Sequence, residues 1–120
     1  MRIFIVENHA DTLKWLALYL EALGHKVSSA RSKHEALAKL PSADAEVIIS
    51  DIGLPDGDGW ELLREAVLPR PVLAIAMSGF GTNADRTKSF AAGYHHHLLK
   101  PFRPGELESI LEEAAQPAAP

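Results

Sequence analysis

The stretch Glu46-Val47-Ile48-Ile49-Ser50-Asp51-Ile52-Gly53-Leu54-Pro55-Asp56-Gly57 decides how this chain is read. An apolar, β-branched run without alternation is the pattern of a strand buried on both faces, as in a parallel sheet. The run ends on a carboxylate and passes at once into a Pro/Gly loop. Stability alone explains a charge there poorly, whereas the carboxyl ends of strands in open α/β sheets are where ligands and chemistry are placed. Two other strand ends supply complementary groups. Glu7-Asn8 closes Ile3-Phe4-Ile5-Val6, and Lys100-Pro101 closes Leu98-Leu99. Carboxylate, amide and ammonium at one sheet edge point to a Mg²⁺-dependent phosphate site.

Outward from Asp51, the pattern alternates strand and helix five times. Ile3 to Glu7 reads as a buried strand. Asp11 opens a helix with Leu13, Leu16, Ala17 and Leu20 on one face, closed by Leu23-Gly24. Lys26 to Ala30 has the polar look of an edge strand. Ser32-Lys33-His34-Glu35 is a capping box for a short helix that Pro41 is expected to stop. After the Asp51 loop, Asp58 caps a helix carrying Trp60, Leu62, Leu63 and Val67, ending before Pro69. Val72 to Met77 is the fourth strand and leads to Ser78-Gly79. Thr82 to Ala92 is a weak helix, apolar only at Ala84, Phe90, Ala91 and Ala92. Gly93 ends it, Tyr94 to Leu99 is the fifth strand, and Pro104 starts a last helix with Leu107, Ile110, Leu111 and Ala114 in register. Five such units predict a doubly wound parallel sheet with helices on both faces. Residues 1–115 form the expected domain, and the Pro/Ala-rich 116–120 a tail or linker stub.

The bulk numbers narrow the function classes. At 120 residues the chain fits one domain with one core. A net charge of −4, with no Lys/Arg stripe, argues against direct nucleic-acid binding. The chain has no cysteine, hence neither a disulfide framework nor a thiolate metal site. No apolar run reaches membrane-spanning length, and Met1-Arg2 leads straight into a strand, so a cytoplasmic protein without membrane insertion is expected.

At the strand ends, Val6-Glu7-Asn8, the segment Asp51 to Gly59 (DIGLPDGDG), Met77-Ser78-Gly79 and Lys100-Pro101-Phe102 together resemble the receiver domain of two-component response regulators. The resemblance runs from Arg2 to about Leu111. It implies a flavodoxin-like five-stranded sheet of order 2-1-3-4-5 with five helices. It implies that Asp51 accepts a phosphoryl group from a phosphohistidine of a histidine kinase or histidine phosphotransfer protein. Glu7, Asn8, Asp51 and the backbone carbonyl of Gly53 would surround Mg²⁺ (or Mn²⁺). Ser78 would hydrogen-bond the phosphoryl group, Lys100 would pair with it, and the Lys100-Pro101 bond would be cis. Phosphorylation would then alter a surface read by a downstream output protein or domain, in a phosphorelay rather than a turnover enzyme. Phosphoryl transfer needs mainly positioning and charge neutralisation, which a hard cation and an ammonium supply.

Four positions depart from the family's usual pattern. Asn8 stands where a second acid is usual. A unit charge pair ~4 Å apart is worth about 4 kcal/mol at an effective dielectric near 20. Losing half of that would weaken metal binding roughly thirtyfold. Weakened but surviving metal binding is the expectation, and a pseudo-receiver that binds partners without phosphorylation is the alternative. His97 occupies an aromatic switch position, where a histidine adds pH sensitivity or else is a partly exposed strand residue without a switching role. Gly53 and Phe80 flank the site without a hydrogen-bonding side chain to orient an attacking water, which predicts a long-lived phosphoryl group.

Other signals have plainer readings. In His95-His96-His97 only His95 and His97 share a strand face, too few for a metal site. Asp56 and Asp58 suit turn and cap roles. Trp15 and Tyr19 are either partly buried against a loop or part of a partner surface. A haloacid-dehalogenase-type phosphatase needs Asp-x-Asp after the first strand, and Glu7-Asn8-His9 lacks it; nor does Asn8-His9-Ala10-Asp11 resemble a flavin phosphate loop. The last helix pattern fades near the end of the sequence, compatible with a stand-alone regulator or a domain excised from a larger protein.

Overall fold

A computed structural model describes residues 1–79 and 82–115, so Phe80 and the tail 116–120 lie outside the described residues. The strands are β1 (Arg2–Val6), β2 (Lys26–Ala30), β3 (Val47–Asp51), β4 (Gly53–Leu54), β5 (Gly57–Asp58), β6 (Leu73–Ser78) and β7 (His96–Leu99). The helices are α1 (Ala10–Ala22), α2 (Lys33–Ala43), α3 (Gly59–Glu65), α4 (Asn83–Ala92) and α5 (Pro104–Ala115). Five strands pair in the order β2-β1-β3-β6-β7, all parallel. This is the flavodoxin-like 2-1-3-4-5 sheet. The two-residue strands β4 and β5 form a separate antiparallel ribbon in the loop after Asp51, which the sequence pattern did not announce.

The central strands are apolar throughout because both of their faces are covered. Ile3 and Ile5 join Val47, Ile49, Ile75 and Met77 under α1 and α5, where Leu16, Leu20, Leu107 and Leu111 complete one core. Phe4, Val6 and Ile48 face the other way, onto Ala36 and Leu40 of α2 and Leu62 of α3. A third cluster of Ile52, Ala74, Ala76, Ala92 and Tyr94 closes the α4 end. Register brings the functional strand ends level. Val6 pairs with Ser50, Asp51 with Met77, and Ser78 with Leu99. The chain runs from β1 to β2 on one side and later adds β3 on the other, so the crevice beyond β1 and β3 is the switch point of the sheet.

Three element boundaries differ notably from the sequence reading. Pro41 lies inside α2, which continues to Ala43 and ends at Asp44 in the left-handed region, φ 50°. One intrahelical bond lost in a last turn costs little when the end is tied down elsewhere. Here Arg2 Nε donates to the Asp44 carbonyl at 2.8 Å, and Arg70 Nε lies 2.8 Å from its carboxylate. Helix α3 ends at Glu65, and Val67, expected on its apolar face, is 68% exposed. Ala66 already has extended backbone, in keeping with the Leu68-Pro69-Arg70-Pro71 segment that follows. Strand β7 begins at His96 rather than Tyr94, whose hydroxyl instead donates to the Gly59 carbonyl at 2.6 Å. Helix α4 forms with few apolar residues turned inward. Phe90 is 53% exposed, and the buried positions are Ser89 and Ala92.

The caps follow the sequence. Ser32 Oγ accepts from Glu35 N at 3.1 Å, and Asp58 Oδ1 from Glu61 N at 2.8 Å. Asp56 bridges elements instead. Its carboxylate accepts the backbone N–H groups of Lys33 and His34, both at 2.8 Å, and so pins the loop after Asp51 to the start of α2. Those two amides hold its carboxyl below the usual range.

Candidate functional site

Three charged residues meet beyond the ends of β1, β3 and β7. Glu7 is fully buried and Asp51 nearly so. Lys100 Nζ donates to Glu7 Oε1 and, at 2.9 Å, to Asp51 Oδ2. Each side chain follows from its strand: β1 stops at Val6, β3 ends on Asp51, and β7 stops at Leu99 just before Lys100. The Lys100-Pro101 peptide bond is cis. The loop beside Asp51 is held by the β4–β5 ribbon and by the Gly59 N–H, which donates to the Ile52 carbonyl at 2.8 Å.

The electrostatics of the trio are coupled. Burial pushes the Asp51 carboxyl up, and the adjacent Glu7 adds to this, outweighing the pull of Lys100. Glu7 is penalised by the same burial, but hydrogen bonding to Asp51 and Lys100 brings its carboxyl below the usual range. The two acids titrate as one coupled pair. Burial opposes the charge on Lys100, yet the two carboxylates raise its pKa overall.

Lys100 engages one oxygen of each carboxylate and leaves the other. Glu7 Oε2 is buried without a hydrogen-bond partner, and Asp51 Oδ1 has a long 3.3 Å bond from Gly53 N. An orphaned, buried carboxylate oxygen is costly unless a cation completes it. The acidic pair thus fits a hard divalent ion. Asn8 lies at the same strand end, with its backbone carbonyl accepting two bonds from the Arg31 guanidinium, at 3.1 and 2.7 Å.

Ser78 ends β6 and is buried. Its Oγ lies 2.8 Å from His97 Nε2, and the opposite ring nitrogen, Nδ1, lies 2.8 Å from Ser89 Oγ on α4. Ser89 Oγ also accepts from Trp60 Nε1 at 2.9 Å. Lys88 Nζ sits over the Trp60 ring, 5.2 Å from its centroid. His97 is thus a buried, doubly bonded histidine and not a partly exposed one. His95 has a separate role, its Nδ1 accepting the Ala74 N–H at 3.0 Å. Sequence reading missed Ser89 and Trp60 as members of this chain. A serine in a polar helix and a tryptophan at helical spacing carry no signal of partnership until the fold sets them side by side.

A groove of about 660 Å³ adjoins the site, between Asp11, Trp15 and Leu16 of α1 and the Lys100-Pro101-Phe102 turn. Trp15 is 46% exposed and stacks on Tyr19, with centroids 5.7 Å apart and planes 5° from parallel. Tyr19 packs partly into the core, so the pair is anchored at one end and open at the other.

Comparison with known proteins decides the family. The profile described as the response regulator receiver domain matches residues 3–112. The chain belongs to that family. This receiver domain is 33% identical, over 93% of its length, to the KDP operon transcriptional regulatory protein KdpE of Escherichia coli, of which it covers 50%. It spans about half the length of the first curated relatives it matches. Among solved structures, a CheY-like receiver domain protein of Methanospirillum hungatei superposes with a TM-score of 0.87 at 32% identity, with 94% of this chain and 91% of that one covered. The receiver domain of sensor histidine kinase PA1611 from Pseudomonas aeruginosa, 28% identical with a TM-score of 0.82 and coverage of 92% and 93%, carries a magnesium ion in its active-site cleft. Among the described residues no helix is long and apolar enough to cross a membrane.

Proposed function

We propose that the chain is a working phosphoacceptor domain of a cytoplasmic two-component phosphorelay, with Asp51 as the acceptor. The observation that carries this reading is the meeting of Glu7, Asp51 and Lys100 at the sheet's switch point, with one carboxylate oxygen of Glu7 left unpartnered. A carboxylate oxygen of Asp51 attacks the phosphorus of a phosphohistidine. The new P–O bond forms as the P–N bond breaks, and the donor imidazole leaves with the electron pair. Lys100 pairs with the transferred group as its charge develops. Glu7, Asp51, the amide oxygen of Asn8 and the Gly53 carbonyl would hold Mg²⁺ (or Mn²⁺), which supplies charge neutralisation to the phosphoryl oxygens.

Ser78 and His97 form the switch in this reading. Trp60 Nε1 can only donate, so Ser89 Oγ accepts there. With Ser89 donating onward to His97 Nδ1, the imidazole proton sits on Nε2 and points at Ser78 Oγ. Ser78 Oγ then accepts from His97 and would reorient toward a phosphoryl oxygen once one is present. Movement of Ser78 toward that oxygen pulls on His97, Ser89 and Trp60, and reshapes the α3–α4 surface. The phosphodonor, a histidine kinase or phosphotransfer protein, would approach along the α1 groove, and an output protein or domain would read the altered face. Gly53 offers no side chain to orient water, which supports a long-lived adduct; a half-life of seconds in Mg²⁺ would sink that part.

The test is intact mass after brief incubation with Mg²⁺ and acetyl phosphate. One phosphoryl adduct is expected in the wild type, and none in Asp51→Asn or without a divalent ion. If no adduct forms under any condition, the charge lost at Asn8 has disabled the chemistry and the phosphorylation-independent binding module takes first place.

A further inference from the structure

His9 lies one residue beyond Asn8 and has no assigned part in the site. It occupies the N-cap of α1, yet its side chain makes no capping bond. The ring is three-quarters exposed, and its Nδ1 lies 3.7 Å from Glu7 Oε2, the buried oxygen without a hydrogen-bond partner. One ligand atom from each of Glu7, His9 and Asp51 falls within 4.8 Å of the others. Donors bound ~2.1 Å from one ion lie about 3–4.2 Å apart. The Glu7–His9 separation already meets this, and the widest needs a closure of about half an ångström, within reach of an exposed imidazole.

We propose that His9 is a further protein ligand of the divalent cation, so that this site favours a first-row transition ion such as Mn²⁺, Co²⁺ or Zn²⁺ over Mg²⁺. The inference rests on the phosphoacceptor reading, because it uses Glu7 and Asp51 as donors too. The chemistry follows from the donor set. Mg²⁺ prefers oxygen ligands, whereas affinity for imidazole rises along the first-row transition series. The amide at Asn8 removes one anionic oxygen donor, which weakens the site most for a hard cation. A neutral nitrogen donor beside an orphaned carboxylate restores affinity selectively for the softer ions. Lys100 does not compete for this side of the site, since its bonds go to Glu7 Oε1 and Asp51 Oδ2.

Mn²⁺ binding to the full chain, followed by electron paramagnetic resonance with Mg²⁺ as competitor, tests the assignment. The variants are His9→Ala and, as site control, Asp51→Asn. His9 is exposed and caps nothing, so its removal leaves the fold intact. Expected in the wild type is nitrogen modulation of the bound Mn²⁺ signal in a spin-echo measurement. In His9→Ala that modulation disappears, Mn²⁺ affinity drops about tenfold or more, and Mg²⁺ affinity changes less than twofold. Mn²⁺ that binds in an Asp51-dependent way without nitrogen modulation, or equal losses for both ions, would overturn the proposal. The two readings fail separately. A phosphoryl adduct formed in Mg²⁺ alongside nitrogen-free Mn²⁺ binding removes only the role of His9. No adduct with any cation, and no Asp51-dependent Mn²⁺ binding, removes the phosphoacceptor reading and this proposal together.

Discussion

Replacing Ser89 by alanine isolates the hydrogen-bond chain between the phosphoacceptor side of the sheet and the α3–α4 surface. Ser89 is fully buried, and its hydroxyl serves two ring nitrogens at once, His97 Nδ1 at 2.8 Å and Trp60 Nε1 at 2.9 Å. Leaving a buried polar group without a partner costs about 1–3 kcal/mol. His97 is buried and bears most of that cost, whereas Trp60 is partly exposed and its indole N–H can turn to water. A total loss of about 2–3 kcal/mol follows, which for a domain of this size lowers Tm by roughly 8–12 °C. Thr87→Ala on the same helix is the control, because that hydroxyl is exposed and bonds only the Asn83 carbonyl, so its loss should stay within about 0.5 kcal/mol. The functional readout is Trp60 emission in a Trp15→Phe background, before and after phosphorylation. Ser89→Ala should still form the adduct, since Glu7, Asp51 and Lys100 are untouched, but the emission change at Trp60 should vanish. A destabilisation below about 1 kcal/mol, or an undiminished emission response, would refute the idea that these bonds couple the site to that face.

Three further perturbations bear on the charged trio. Burial and Glu7 raise the folded-state pKa of Asp51 above its unfolded value, so its contribution to stability is present at low pH and is lost as pH rises through the folded value. Asp51→Asn should therefore raise Tm at neutral pH without divalent metal, with the gain shrinking on acidification; a gain that grows toward low pH would contradict the sign. Lys100→Met leaves Glu7 and Asp51 facing each other without a cation. Breaking a buried pair costs about 3–5 kcal/mol, and since Lys100 is 23% exposed we expect about 2 kcal/mol at neutral pH, recovered as the pair takes up a proton on acidification. Stability that does not recover on acidification in that variant would count against the coupling. Gly59→Ala would place a Cβ 2.6 Å from the Asp51 carbonyl and 3.1 Å from Ile52 Cα, both backbone atoms. Overpacking of about 1–3 kcal/mol and a slower rate of adduct formation are expected, and an unperturbed rate would mean that the Asp51 loop yields freely.

Much of this architecture was written in local patterns. Ile3-Phe4-Ile5-Val6 and Val47-Ile48-Ile49 are apolar on both faces because helices cover both sides of the sheet, and no other common arrangement asks for that. Gly24 and Gly93 close α1 and α4 with positive φ, as their positions after apolar helical turns foretold. The errors came where tertiary contacts outrank local preference. Pro41 ought to stop a helix, but Arg2 and Arg70 hold Asp44 from outside α2 and carry the helix past it. The weak α4 pattern gave no sign that the helix turns Ser89 inward and leaves Phe90 exposed, where the Ser89 hydroxyl satisfies His97 and Trp60 together. Apolar periodicity cannot register a buried face that is polar and fully paired.

The same limit governs the site. Glu7, Asp51 and Lys100 are each legible because a charge at the end of an apolar strand is costly and must be matched, and the parallel register leaves only neighbouring strand ends to match it. Two carboxylates against one ammonium leave the trio with a net negative charge, and Lys100 reaches only one oxygen of each acid. The remainder falls on Glu7 Oε2, which has no hydrogen-bond partner although it is buried. An acid at position 8 would add a further, half-buried charge and make the site more dependent on a cation in order to fold. Asn8 relaxes that dependence. On the proposed function, a residue expected to weaken cation binding would thus also make the cation-free state cheaper, and the balance between those effects would set how tightly phosphorylation of Asp51 is tied to the supply of metal.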